Sequence, residues 1–77
     1  MAKWVITKKA GADGSVTFNS QCAEISGEVT TTRHADADLT IDGAIAQHLH
    51  HVAKVDPGAS FDAHATPPEI VQALRRN

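Results

Sequence analysis

"TIDGAIAQHLHHVAKVDPG", Thr40 to Gly58, is where the hydrophobic pattern of the chain changes period. Upstream, apolar side chains tend to alternate with polar ones. Within this stretch Ile41, Ile45, Leu49 and Val52 recur at the spacing of one helix face, flanked by Ala44 and Val55. Thr40 suits the N-cap, and Asp42 is well placed against the positive end of the helix dipole. Gly43 weakens the first turn. Pro57-Gly58 ends the helix, because the residue before a proline is pushed out of the helical region.

Working back towards the N-terminus, "KWVITKK" sets Trp4, Ile6 and Lys8 on one face of a strand and Val5, Thr7 and Lys9 on the other. "SVTFNS" places Val16 and Phe18 together. The Asp13-Gly14 pair between the two segments signals a hairpin, since glycine tolerates positive φ. "CAEISGEVTTTR" reads as a third extended segment rich in β-branched residues, with Gly27 marking a bulge or a turn between two short strands. "HADADLT" reads as a polar loop or a frayed edge.

Working forward, "SFDAHA" reads as a short extended piece with Phe61, Ala63 and Ala65 on one side. "TPPEIVQALRR" carries helix-start signals: Thr66 as cap, Pro67 at the first helical position and Glu69 closing a capping box. Ile70, Val71 and Leu74 supply its buried stripe, and Arg75 and Arg76 complement its negative end. The expected fold is therefore α+β: a small antiparallel β-sheet, made of the N-terminal hairpin plus one or two strands, with two C-terminal helices packed on one face.

The chain has 77 residues, enough for one small domain spanning 1–77. Trp4, Phe18 and Phe61 are the large rings, so the core rests on aliphatic residues and alanines. Such a core leaves little room for an enclosed substrate pocket. The net charge is −2 with neutral histidines and +3 with all five protonated. Without a basic excess at neutral pH, direct nucleic-acid binding is not expected. No stretch approaches the ~18 apolar residues of a membrane span, so no membrane partner is expected either. "MAKWVITKK" lacks the apolar run of a signal peptide, and the lone Cys22 suits a reducing compartment. Both predict a cytoplasmic protein.

Four of the five histidines, His48, His50, His51 and His64, fall between Ala46 and Ala65. On a helix His48 lies inside the apolar stripe, His51 at its edge beside Ala44, and His50 on the opposite side. A zinc site needs about four ligands in a tetrahedron. His48, His51 and His64, with Asp62 or Cys22, are the candidate set, but there is no HExxH motif and no other established spacing. The plainer reading makes His48 a partly buried, hydrogen-bonded histidine and the others solvated. Cys22 carries no mark of a low-pKa thiolate, and "GADGS" lacks the lysine and helix of a phosphate loop. No enzyme activity and no cofactor are expected.

Asp36, Asp38 and Asp42 form an acidic stretch, either a solvated surface or a face for docking on a basic surface of another protein. The leading expectation is a non-enzymatic protein-binding module, an accessory or inhibitor protein. One class that fits the size and charge is a phage- or mobile-element-encoded antagonist of a nucleoprotein complex, with those three aspartates as its partner-binding residues. The alternatives are a small metal-binding protein using His48, His51 and His64, and a structural subunit forming a homodimer through a sheet edge.

Overall fold

The computed structural model describes residues 3–62 and 66–76. Three strands come first: β1 (Lys3–Ala10), β2 (Val16–Cys22) and β3 (Gly27–Arg33). Helix α1 (Ile41–Val55), the two-residue strand β4 (Ser60–Phe61) and helix α2 (Pro68–Arg76) follow. The strands form one sheet in the order β3-β2-β1-β4. Ala63, His64 and Ala65 lie outside the described residues, as do the side chains of Leu74 and Arg76.

The fold is α+β, but the sheet is mixed rather than antiparallel. β1, β2 and β3 make an antiparallel meander, running from Val5 opposite Gln21 to Ala10 opposite Val16, and from Val16 opposite Arg33 to Cys22 opposite Gly27. β4 pairs parallel to β1, through Lys3 with Ser60 and Trp4 with Phe61. The reason is topological. Two antiparallel steps make β3 run with β1, and α1 carries the chain back along the sheet, so the next strand must run with β1 as well. α1 is thus a crossover as well as a covering helix. The pairing is short, extended by one bond from Asp62 N–H to the Trp4 carbonyl at 2.9 Å.

Two further expectations are corrected. "CAEISGEVTTTR" is divided by a turn between two strands, one of the two readings of Gly27, but the turn is at residues 23–26: Cys22 ends β2 and Gly27 opens β3. Gly27 is no bulge; it pairs regularly with Cys22, and a Cβ there would lie 2.7 Å from Cη2 of Trp4. Helix α2 begins at Pro68, one residue later than the capping-box reading, and the Thr66 hydroxyl donates to the Asp62 carbonyl at 2.7 Å. α1 starts as its sequence indicates, with the Thr40 hydroxyl accepting from Gly43 N–H at 3.0 Å. Its C-cap is Asp56, whose N–H bonds to the Val52 carbonyl.

Strand alternation and the helical stripe meet in two apolar clusters. The larger joins Ile6 and Phe18 of the sheet to Ala44 and Ile45 of α1 and to Ile70 and Ala73 of α2. The smaller joins Trp4, Cys22 and Val52. Trp4 is fully buried, and its indole N–H donates to Asp56 Oδ2 at 2.9 Å. One side chain therefore ties the central strand, the C-terminal end of α1 and the start of β3 together.

This close fit predicts a coupled mutational effect. Gly27→Ala drives a methyl into the indole and is expected to cost about 1–3 kcal/mol. With Trp4→Phe in the same chain the shorter ring leaves space, and the added cost of Gly27→Ala should fall by roughly 1 kcal/mol or more. Urea denaturation of the four proteins in this cycle measures the coupling. Strictly additive costs would contradict the packing described.

Candidate functional site

Period-two alternation puts Phe18, Ser20 and Cys22 of β2 on the face that α1 covers, and Val29, Thr31 and Arg33 of β3 beside them. The stripe of α1 lays His48 over this junction. Its imidazole is fully buried, with Nε2 2.6 Å from Ser20 Oγ and Nδ1 2.9 Å from Thr31 Oγ1. The Phe18 ring lies beside it, with ring centroids 6.2 Å apart. Thr31 Oγ1 also approaches Nδ1 of the half-buried His51 at 3.4 Å. Ser20, His48, Thr31 and His51 therefore form a polar chain leading from the core to the surface.

The chain is directional. A neutral imidazole has one donor and one acceptor nitrogen. If Ser20 donates to Nε2, then Nδ1–H donates to Thr31, whose own hydrogen is left for His51. In the reverse sense His51 donates to Thr31, Thr31 to His48, and His48 to Ser20. In the first sense every donor hydrogen has an acceptor, whereas in the second the buried Ser20 hydrogen has none, which favours the first; among the described residues no buried side-chain nitrogen or oxygen lacks a partner. Burial, with a smaller contribution from nearby His51, holds the His48 pKa well below the ordinary 6.5, at about 4.

Ser20 next to an imidazole has the spacing of a nucleophile and its base. The hydroxyl is fully buried in the middle of β2, however, and the far side of the imidazole holds a threonine instead of a carboxylate. The pair links α1 to β2 inside the core. Cys22 is also buried, and its thiol donates to Glu24 Oε2 at 2.9 Å. Burial, with that bond to Glu24, raises its pKa, the opposite of what an activated thiolate needs.

For metal binding, the structure brings His48 and His51 to the same threonine but commits both nitrogens of His48 to hydroxyls. His50 is exposed, and His64 lies outside the described residues. Among the described residues no group of three or more His, Cys, Asp or Glu side chains is placed to hold a metal ion.

The aspartates lie at one end of the molecule. Asp36 is exposed in the turn after β3, Asp38 is exposed in the following bend, and Asp42 is half-buried in the first turn of α1. Arg33 fastens this loop by donating to the Leu39 carbonyl. A meander puts the β1–β2 turn at the same end as the loop after β3, and here they touch: a Cβ on Gly14, whose φ is 87°, would lie 3.2 Å from that of Ala35. Asp13 thereby joins the acidic group. Its carboxylate accepts from the Ser15 hydroxyl at 2.7 Å and the Ser15 N–H at 3.0 Å, bonds that lower its pKa. Lys8 and Lys9 are exposed at the root of the same hairpin.

Sequence reasoning missed Asp13, Ser20 and Thr31. Asp13 was available from the meander geometry. Ser20 was available as a polar residue in phase with Phe18, which marks a buried position needing a partner. The chain matches no protein-family model, no curated protein and no solved structure in the comparisons made.

The buried imidazole makes stability pH-dependent, with a definite sign. Unfolded, His48 takes up a proton below about 6.5, whereas folded it resists protonation to about 4. Its contribution is therefore fully present above pH 6.5 and declines as the pH falls to 4, by at most ~3 kcal/mol. Urea midpoints between pH 7 and 4 should fall more steeply for the wild type than for His48→Gln, which starts less stable but lacks this titration. Parallel curves would contradict the assignment.

Proposed function

We propose that the chain is a non-enzymatic accessory or inhibitor module that docks on a basic surface of another protein. The observation that supports this reading is the acidic end, where Asp36 and Asp38 are exposed beside the Asp13 turn and just ahead of Asp42. Both the Asp36 and Asp38 residues are solvent-exposed, as docking on a partner requires. Charges arranged this way speed encounter and select partners by sign. A basic surface that otherwise holds nucleic acid is a natural target, since exposed carboxylates compete for the same cations that contact phosphates.

No helix among the described residues is long and apolar enough to cross a membrane. In this reading the partner is a protein in the cytoplasm of a cell whose nucleoprotein machinery a phage or other mobile element would benefit from blocking.

The test is retention of a partner from source-cell extract on the immobilised chain and on the D36N/D38N/D42N variant, followed by calorimetry with the purified partner. The expected partner is basic, and its Kd should rise about tenfold or more in the variant and with added salt. Equal affinity for both chains, or binding indifferent to salt, would remove the acidic-face reading.

A further inference from the structure

We propose that β3 is the edge on which a second copy of the chain adds, antiparallel, about a two-fold axis through Thr30. The two sheet edges differ greatly. β4 offers two residues, whereas β3 is a regular seven-residue strand at the outer edge of the sheet. Proteins usually blunt such an edge with proline, lysine, a bulge or brevity. β3 has none of these; its charges, Glu28 and Arg33, stand near its two ends.

The strand is complementary to itself. A two-fold axis perpendicular to the sheet keeps both helix layers on one side and, centred on Thr30, pairs every residue of β3. Thr30 faces the partner's Thr30, and Val29 faces the partner's Thr31. Glu28 faces the partner's Thr32, and Gly27 faces the partner's Arg33, so no like charges meet. β-Branched residues directly opposite one another favour such pairing.

The helices fit as well. His48 bonds to Ser20 of β2 and Thr31 of β3, which sets α1 above the gap between those strands. Across the axis the two equivalent gaps are two strand spacings apart, about 9.6 Å. That is the roughly 8–10 Å at which packed helices sit. The bond from His51 to Thr31 shows which side of α1 faces the edge, and Gln47 and Lys54 share that side at helical spacing. The antiparallel arrangement directs Lys54 towards the acidic loop ahead of the partner's α1, opposite charge to opposite charge.

Mass in solution tests this, independently of any other protein. Sedimentation of the full chain over a wide concentration range should show a monomer–dimer equilibrium. Thr30 is exposed, so Thr30→Lys and Thr30→Glu leave the fold intact by circular dichroism while setting like charges face to face. Each alone should weaken dimerisation by tenfold or more, and a one-to-one mixture of the two should restore it. A wild type that stays monomeric at millimolar concentration overturns the proposal. So does a dimer indifferent to both substitutions, or one that the mixture fails to rescue.

Discussion

A neutral imidazole held between two hydroxyls fixes the layers of this small domain. His48 belongs to α1, Ser20 to β2 and Thr31 to β3. An apolar residue in that position would leave the buried Ser20 hydroxyl without a partner, at roughly 1–3 kcal/mol, and the half-buried Thr31 with only its longer contact to His51. Apolar contacts tolerate sliding, but a two-sided hydrogen bond does not. It holds α1 above one particular gap of the sheet, with the Phe18 ring packed alongside. From that position α1 delivers Asp56 to the Trp4 indole and the chain to the β1 edge, where β4 adds in parallel.

Much of this was legible in the sequence, and the gaps have physical causes. Alternation around Trp4, Ile6 and Phe18 and the 3.6-residue period of Ile41–Val52 are local signals, and the strands and helix they indicate are present. The parallel pairing of β4 was hidden because direction depends on counting chain reversals, which no short motif encodes. Gly27 was read as a local backbone irregularity, whereas its reason is the Trp4 ring, 23 residues away in sequence. At α2 the Thr66 hydroxyl turned to the Asp62 carbonyl, a competitor that a capping motif does not reveal. Of the candidate site, the acidic stretch was visible as composition. Its fourth member, Asp13, emerges only once the meander sets the hairpin turn against the loop after β3.

Packing, the buried polar chain and the acidic surface occupy different regions of one framework. The end with Trp4, Gly27 and Asp56 is tightly packed. The middle carries the polar chain, which reaches the surface at His51 beside the open edge of β3. The opposite end carries the carboxylates proposed to meet a basic partner. Because the histidine chain sets where α1 lies, it also sets how the β3 edge and the acidic loop are presented. A change at the buried imidazole should therefore be felt at both surfaces without either being touched.

The most direct measurement of that central role is the protonation state of the His48 ring itself, read by long-range proton–nitrogen NMR on the ¹⁵N-labelled chain. The account predicts that at pH 5, below the ordinary histidine range near 6.5, His48 still shows one protonated and one bare ring nitrogen, in a single tautomer. Two protonated ring nitrogens at that pH in the folded protein, or two tautomers in exchange, would mean that the imidazole is not locked between Ser20 and Thr31. The framework described here would then lack its central restraint.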